Sequence, residues 1–401
     1  MKKVLAPLFI SFAIGCDAAP FSDHQAENTA IANTTACRNW SCDPAKTVSV
    51  GYSSSCAALS SGGVMCWGGN KYGQLGNGND QDASVAAPVV GLNNVQALSV
   101  GGANACAVTV DGKVYCWGDN EFGELGNGAT ENSNVPVKAL GLNNATDVSC
   151  GGYHCCAITQ GGALSCWGHL MGLPAALDIG TDHWSIPTDV SAVIGAPVIS
   201  VAMGDERACA VLIDGSAVCF GNNGFGALGC GDALVHSDIV PVSGLANAAK
   251  IVLGKNHSCA LVSDGTVFCW GWNAHGLLGN NEDYQASYEK HYSAMPVSGV
   301  DDAVDLAAGE EHTCAAKRDG TVVCWGVNTL GQIGFPAGGE FLPTAIPNFR
   351  ARAISAQLSF NCSIGPIGEV ACWGYNGYGQ LGNGTTEKSA GPIGVLRSAI
   401  R

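Results

Sequence analysis

Short stretches rich in Val, Ala, Thr and Tyr alternate with polar, glycine-rich turns along most of the chain. In one unit, Cys106 and Cys116 flank two such stretches, which are joined by Asp111-Gly112. β-Branched and aromatic residues favour strands, and an Asp-Gly pair between two strands favours a hairpin. A three-residue loop, 110–112, places the two cysteines directly opposite each other. We therefore predict an antiparallel hairpin in this unit.

The ten-residue spacing between two cysteines recurs seven times, at intervals of about fifty residues. Such a period predicts a propeller or a solenoid. Directly opposed residues have Cα atoms about 4.5–5.5 Å apart, within the span of a disulfide. Seven pairs of free, buried cysteines are the alternative, and zinc is disfavoured because the spacing matches no zinc motif. We predict seven disulfides across hairpins: Cys56–Cys66, Cys106–Cys116, Cys156–Cys166, Cys209–Cys219, Cys259–Cys269, Cys314–Cys324 and Cys362–Cys372.

A glycine lies six residues after the first cysteine of every pair. The predicted loop is a type I turn closed by a residue in the left-handed region, which glycine adopts at little cost. The seven positions are Gly62, Gly112, Gly162, Gly215, Gly265, Gly320 and Gly368.

The second cysteine usually begins Cys-Trp-Gly, and a turn such as Asn70-Lys-Tyr-Gly-Gln-Leu-Gly-Asn-Gly78 follows. These motifs closely resemble the repeat of the regulator of chromosome condensation family, which joins Trp-Gly-x-Asn to Gly-Gln-Leu-Gly. The resemblance covers about residues 46–400 and implies an all-β, seven-bladed β-propeller with four short strands per blade. In the fourth unit Phe220 replaces the tryptophan, and the third unit loses Gly-Gln-Leu-Gly after His169.

The repeated tryptophans have two possible roles. We expect them to wedge between neighbouring blades, where a bulky ring adds apolar contact, with stacking on a carbohydrate as the alternative. The two ends of the repeat region, 47–50 and 392–396, are expected to lie at one seam, where they can pair.

Three segments are predicted. Residues 1–16 combine Lys2 and Lys3 with a short apolar run and end at Cys16, which predicts a signal sequence with a lipobox-like cysteine. Lipidation of Cys16 would leave a lipid-anchored, exported protein in a bacterial cell envelope, and ordinary cleavage near Ala18-Ala19 is the alternative. Residues 17–45 are polar and predict a tether. Residues 46–401 would form the propeller, with repeats starting near 46, 95, 145, 197, 248, 303 and 352.

Both versions of the signal agree with the paired cysteines, because disulfides persist outside the cytoplasm. Cys37 and Cys42 could close a further small loop, whereas Cys150, Cys155 and Cys230 leave an odd thiol.

The chain carries 33 acidic and 18 basic residues, a formal net charge of −15, and no basic cluster. This charge disfavours nucleic acid and anionic membrane surfaces as partners, so membrane attachment is expected through the lipid anchor alone. No histidine lies in a recognised metal or nucleophile motif, so no cofactor or metal is expected. We also expect a monomer.

Two sets of residues are candidates for partner binding. His154, Arg207, His257 and His312 share one position of the repeat and could contact a ligand at the channel mouth or cap local backbone groups. Two loops, 169–190 and 280–295, break the repeat and contain Trp184, Tyr284, Tyr288, His291 and Tyr292. Aromatic loops on a rigid scaffold favour binding, although drifted surface loops would explain them as well.

Three functions are considered. The first is a non-enzymatic propeller that binds a protein or glycan partner through its loops. The second, implied by the family resemblance, is guanine-nucleotide exchange on a small GTPase, which the signal sequence and disulfides disfavour. The third is a polysaccharide-acting enzyme, which would need two carboxylates converging in the channel.

Overall fold

The computed structural model describes residues 40, 42–169, 183–234, 236, 238–281, 289–336 and 340–398. These residues form seven four-stranded antiparallel sheets, and in each sheet the strands lie in sequence order. The family-implied fold, a seven-bladed propeller with four strands per blade, is therefore confirmed. No helix within the described ranges is long and apolar enough to cross a bilayer.

The first three blades use the strands up to residue 189. Blade 1 contains β1 (Ala45–Val50), β2 (Ser54–Leu59), β3 (Val64–Gly68) and β4 (Ala83–Pro88). Blade 2 contains β5 (Val95–Val100), β6 (Asn104–Thr109), β7 (Val114–Gly118) and β8 (Ser133–Lys138). Blade 3 contains β9 (Ala145–Cys150), β10 (His154–Thr159), β11 (Leu164–Gly168) and β12 (Trp184–Asp189), and a short helix α1 (Ser191–Ile194) follows it.

The remaining four blades repeat this arrangement. Blade 4 contains β13 (Val198–Met203), β14 (Arg207–Leu212), β15 (Ala217–Gly221) and β16 (Val240–Pro241). Blade 5 contains β17 (Ala248–Leu253), β18 (His257–Val262), β19 (Val267–Trp272) and β20 (Lys290–Pro296), with a 3₁₀ turn at Ala274–Gly276. Blade 6 contains β21 (Ala303–Ala308), β22 (His312–Lys317), β23 (Thr321–Val327) and β24 (Glu340–Arg350). Blade 7 contains β25 (Ala353–Gln357), β26 (Phe360–Ile364), β27 (Val370–Gly374) and β28 (Ser389–Gly394).

All seven predicted hairpin disulfides are present. Cys106 and Cys116 face each other across β6 and β7, with Cα atoms 4.1 Å apart. The other six pairs have the same register, with Cα separations of 4.0–4.1 Å. The seven hairpin glycines have φ values between +76° and +92°, as the loop prediction requires. Each blade is therefore closed by a covalent link between its two central strands.

The structure assigns the three cysteines that the sequence left unassigned. Cys150, at the end of β9, pairs with Cys155 in the neighbouring β10, with Cα atoms 4.1 Å apart. Blade 3 therefore carries two disulfides, and Cys230 is the free thiol among the described cysteines. Cys42 is disulfide-bonded. Cys37 and Cys16 lie outside the described residues, so both predictions about them stand as predictions.

The indole nitrogens of six tryptophans connect neighbouring blades. Nε1 of Trp117 donates to the backbone carbonyl of Gln74, in the Gly-Gln-Leu-Gly turn of the preceding blade, at 2.9 Å. Equivalent bonds join Trp67 to Gln380, Trp167 to Glu124, Trp270 to Ala227, Trp325 to Leu277 and Trp373 to Gln332. All six rings are fully buried. The predicted wedge is confirmed, and its hydrogen bond explains why the repeat pairs a tryptophan with a turn.

The two departures from the repeat meet at one interface. The tryptophan of blade 4 would donate to the turn of blade 3, and that turn has lost Gly-Gln-Leu-Gly. Phe220 has no side-chain donor, so it does not require an acceptor in that turn. It is buried in one cluster with Trp184 of β12, which adds apolar surface at this interface. The tryptophan and the Gly-Gln-Leu-Gly motif that it would contact have therefore been lost together in the sequence.

The ring closes without exchange of a strand between the first and last blades. Nε1 of Trp40 donates to the carbonyl of Val395 at 2.9 Å, and Arg397 lies over the indole ring. Arg397 also forms a parallel bridge with Ala86 of β4. The two ends therefore meet at one seam, as expected. The C-terminal segment pairs with the outer strand β4, however, and not with the first strand.

Candidate functional site

The two ends of the propeller differ in the turns that they carry. Because consecutive strands are antiparallel, the first–second and third–fourth connections of every blade lie at one end, which we call the turn face. The seven disulfide hairpins lie at the opposite end, the hairpin face. The Gly-Gln-Leu-Gly turns lie on the turn face, as do the described ends of both loops that break the repeat.

A side-chain bridge crosses the channel mouth on the turn face. Tyr52 of blade 1 donates from its hydroxyl to Oδ1 of Asp205 of blade 4, at 2.5 Å. The tyrosine passes over Gly102 and Gly152, where an added Cβ would lie 3.0 and 2.8 Å from its atoms, so a side chain at either position would press on the tyrosine. Burial, followed by the charge of Asp205, raises the pKa of Tyr52. The phenol therefore stays protonated and remains the donor.

A pocket of about 250 Å³ lies beside this bridge and is lined by residues of blades 4, 5, 6 and 7. Its walls combine apolar and acidic side chains, among them Phe225, Leu358, Asp205, Glu206 and Glu310. Lys255 forms an ion pair with Glu310. Three carboxylates therefore face the ammonium group of Lys255 and the guanidinium of Arg207, which leaves one excess negative charge in the lining, and the pocket favours positively charged groups and hydrogen-bond donors.

Arg207 lines the same pocket, but its guanidinium is occupied within the protein. It donates to the carbonyls of Lys255 at 2.6 Å and His257 at 2.8 Å, and also to that of Gly254. Burial lowers its pKa to about 10, so the group remains charged at neutral pH. Arg207 therefore ties blade 4 to blade 5.

The three predicted histidines are buried as well. Nε2 of His257 lies 2.8 Å from the hydroxyl of Thr313, and Nε2 of His312 lies 2.9 Å from the side-chain oxygen of Asn361. Both contacts reach the next blade. Burial lowers the pKa of His257 to about 3 and those of His154 and His312 to about 4.

The burial of His154, His257 and His312 corrects the prediction that these histidines contact a ligand at the channel mouth, because a buried side chain offers no surface to a partner. Arg207 lines the pocket, but its guanidinium is bonded to backbone carbonyls. For Arg207, His257 and His312, the alternative of local capping was closer, although their bonds extend to the neighbouring blade. The sequence placed these residues at one repeat position but could not show which way they face.

Aromatic side chains recur on the turn face at a position that the sequence did not single out. The third residue of the Asn-x-x-Gly turn is Tyr72, Phe122, Phe225, His275, Leu330 or Tyr378. Ring contacts extend these positions into patches: Phe122 with Tyr153 and His169, Phe225 with Trp272, Trp272 with His275, and Tyr375 with Tyr378. Tyr72, Tyr153, Tyr375 and Tyr378 are exposed. The regular spacing of the turns could have revealed this set.

The loops that break the repeat are partly strands. Trp184 begins β12 and is buried against blade 4, so it is a packing residue and not an exposed binding residue. His291 and Tyr292 belong to β20, and Tyr292 remains exposed while its ring lies against Gly226. Tyr284 and Tyr288 lie outside the described residues.

The central channel encloses about 550 Å³ and is lined by the first strands of all seven blades. Nζ of Lys250 donates to Asp305 at 2.6 Å, and the same carboxylate accepts from the amides of Leu306 and Ile354 at 2.9 Å. Asp147 lines the channel too, and burial raises its pKa. Because Asp305 is occupied by these donors, the two aspartates do not form the free pair that acid–base catalysis would require.

Two sequence profiles for the regulator of chromosome condensation (RCC1) repeat match the chain. One matches residues 61–108, 111–158 and 264–316. The other matches residues 45–74, 95–124, 198–227, 248–277 and 303–332. Together the matches cover more than half of the chain. No curated protein sequence matches it significantly.

Solved structures with the same fold come from several eukaryotes. Prp20p of Saccharomyces cerevisiae, which binds Gsp1p and histones, has a TM-score of 0.72 at 19% identity, over 89% of this chain and 88% of Prp20p. Human WBSCR16 has a TM-score of 0.71 at 20% identity, over 82% and 93% of the two chains. The ectodomain of the receptor kinase CR4 of Physcomitrella patens has a TM-score of 0.52 at 21% identity, over 83% and 73%. At these identities the likeness shows the fold alone.

Proposed function

The chain belongs to the regulator of chromosome condensation repeat family, and from this premise we propose that it is an exported, lipid-anchored, non-enzymatic propeller that binds a protein partner through its turn face. The observation that carries the proposal is the acidic pocket, which is lined by the partly exposed ring of Phe225 and lies on a face that also carries exposed tyrosines. A glycan partner is the alternative, because aromatic rings also stack on sugars.

Export is supported by the disulfides, since eight of them would not persist in a reducing cytosol. The anchor rests on Cys16 and the apolar run before it. Metabolic labelling with a fatty acid should modify the full chain in a bacterial host, and Cys16→Ser should abolish the label. A label that persists in Cys16→Ser would refute the anchor and leave the binding proposal untouched.

The pocket suits one anchoring side chain of a partner. Binding energy at protein interfaces concentrates in a few side chains that fill desolvated pockets, and Arg, Tyr and Trp are the most frequent. Phe225 offers a ring face, while Asp205 and Glu206 offer acceptors. A guanidinium or ammonium group would pair with these carboxylates and stack on the ring. We therefore expect a positively charged anchor.

Aromatic side chains around the pocket add contact area for a partner on the turn face. The Phe225–Trp272 ring pair, with centroids 5.2 Å apart, borders the pocket, and Lys290 lies 5.1 Å from the Phe225 centroid. Aromatic side chains are enriched at interface cores because they bury a large area at low entropic cost. The pocket and its border therefore form one candidate contact surface.

The test uses the full chain, immobilised and exposed to an envelope extract of the source organism. Three variants are compared with the parent: Phe225→Ala, Glu206→Lys and Ile213→Ala. Ile213 is exposed at a hairpin turn, so Ile213→Ala is a matched loss of apolar surface on the hairpin face. All variants are first checked for unchanged thermal unfolding.

We expect one protein to be captured by the parent and by Ile213→Ala, and capture to fall at least tenfold with Phe225→Ala and Glu206→Lys, as for central interface residues. Capture should weaken with added salt, because the proposed contact is charged. Equal capture by all four proteins would refute the turn-face proposal. Retention on an immobilised glycan, lost in the same two variants, would replace the protein partner by a glycan.

A further inference from the structure

Blade 4 contains a side-chain cluster that no repeat motif accounts for. Cys230, Asp232 and His236 follow the glycine-rich turn of this blade, and one ligand atom from each lies within 4.8 Å of the other two. Sγ of Cys230 is 3.3 Å from Nε2 of His236 and 3.6 Å from Oδ1 of Asp232. Nε2 and Oδ1 are 2.8 Å apart. Three different donor atoms therefore converge on one point.

The position of Cys230 is a departure from the repeat. Four other units carry asparagine here, and its side-chain oxygen accepts from the first asparagine of the same turn: Asn77, Asn127, Asn280 and Asn383. In blade 4, Nδ2 of Asn223 donates to Sγ of Cys230 instead, at 3.6 Å. Asparagine would serve the turn equally well, so the turn does not explain the thiol.

The geometry also distinguishes between a nucleophilic site and a metal site. In a nucleophilic Cys-His-Asp arrangement the thiol and the carboxylate bind different nitrogens of the imidazole ring. Here both face the same atom, Nε2 of His236. One nitrogen cannot serve both groups in such a relay, whereas a metal ion lying between the three atoms would be bound by all of them.

The distances suit a tetrahedral ion. With Zn–S of about 2.3 Å and Zn–N or Zn–O of about 2.0–2.1 Å, ligand atoms at tetrahedral angles lie roughly 3.3–3.6 Å apart. Both sulfur distances already fit this range, and the 2.8 Å separation of Nε2 and Oδ1 must open by about half an ångström. The side chains of Asp232 and His236 are partly exposed, which provides an entry path and a fourth position for water.

From this convergence we propose that Cys230, Asp232 and His236 bind a borderline-soft divalent cation of the zinc class. A thiolate and an imidazole favour such an ion over calcium or magnesium. The amide of Leu234 donates to Asp232 at 3.0 Å and orients its carboxylate. A second group of three, Cys106, Cys150 and Cys155, also lies together, but these sulfurs form disulfides and have no thiolate to offer.

A bound ion would also change the protonation of the Cys230 thiol. Burial raises the pKa of the Cys230 thiol. A bound cation would displace the thiol proton, because a coordinated thiol is deprotonated. Binding should therefore release about one proton per chain and strengthen with rising pH.

The test titrates the purified, oxidised full chain with Co²⁺ and then with Zn²⁺. We expect a thiolate-to-cobalt charge-transfer band, its displacement by Zn²⁺, and one Zn²⁺ per chain. Cys230→Asn introduces the residue that four other units carry and should fold normally while losing the band. His236→Gln should keep the thiol and weaken binding at least about 10–100-fold. His169→Gln, a histidine elsewhere on the turn face, should behave as the parent.

Two results would overturn the proposal. One is cobalt binding without a charge-transfer band, or with a band that survives in Cys230→Asn. The other is alkylation of Cys230 by iodoacetamide at a rate that Zn²⁺ does not reduce. If His236→Gln also slowed that alkylation, the pair would be a nucleophile with its base and not a metal site.

Discussion

The hydrogen bond between a tryptophan and the turn of the preceding blade can be isolated by one substitution made in two blades. Trp117→Phe and Trp270→Phe remove the same atoms from two fully buried rings. Each loses a 2.9 Å bond to a backbone carbonyl, that of Gln74 or of Ala227. The two sites differ in whether that carbonyl keeps another hydrogen-bond donor after the substitution.

Ser258 supplies a second donor in blade 5, because its hydroxyl lies 2.7 Å from the carbonyl of Ala227. Among the described residues the carbonyl of Gln74 accepts only from Trp117. Trp117→Phe therefore leaves a buried acceptor unpaired, which costs about 1–3 kcal/mol. Trp270→Phe loses one of two bonds, about 0.5–1.5 kcal/mol. Because the lost ring volume is common to both, the difference should be on the order of 1 kcal/mol.

Urea unfolding at neutral pH, without reductant, measures this difference. Far-ultraviolet circular dichroism is the suitable signal, since it does not depend on the missing indole. Ala105→Ser is the rescue variant, because Ala105 faces Trp117 as Ser258 faces Trp270. Added to Trp117→Phe, it should recover most of the difference by giving Gln74 a new donor.

Equal losses from the two tryptophan variants would refute this reasoning. So would a Trp117→Phe protein that Ala105→Ser does not improve. Either result would mean that the rings stabilise the interface by packing alone and that the indole hydrogen bond adds nothing.

Two further predictions concern a buried carboxyl group and the additional disulfide. Glu124 occupies the glutamine position of its turn, and burial raises its pKa from an ordinary value near 4.5 to about 7. The folded state therefore binds this proton more tightly, and stability falls as the pH rises from about 4.5 to 7. Glu124→Gln should match the parent in urea unfolding at pH 4 and exceed it at pH 8 by up to about 3 kcal/mol, and equal stability at pH 8 would contradict the burial argument. In the chain-entropy model, replacing Cys106 and Cys116 by alanine should cost about 2.7 kcal/mol, and replacing Cys150 and Cys155 about 2 kcal/mol, because the second loop is shorter. Unfolding free energies of the two double variants test the order, and a larger loss at Cys150 and Cys155 would contradict it.

The sequence alone was sufficient for the seven hairpins and the disulfide across each of them. The opposed cysteines and the glycine six residues after each first cysteine are local signals that are repeated seven times, and an Asp-Gly pair occupies the turn in four of the seven units. A hairpin brings together residues close in the chain, so its register follows from spacing alone. The family resemblance then implied the number of blades and strands.

The candidate site depended on contacts between blades, which no local pattern reports. The sequence placed His257 and His312 at one repeat position, but only the packed ring shows that they are buried and bonded to the next blade. The same holds for the bridge from Tyr52 to Asp205, whose partners are 153 residues apart.

The cluster in blade 4 was likewise predictable from the sequence in one part and visible only in the tertiary structure in the other. Cys230 was recognisable as an odd thiol, yet its nearness to Asp232 and His236 depends on how an irregular segment folds back after its turn. Period and spacing predict regular structure because the backbone repeats its hydrogen bonds from unit to unit. Where the repeat is broken, side-chain contacts decide the conformation, and only the tertiary structure shows which atoms meet.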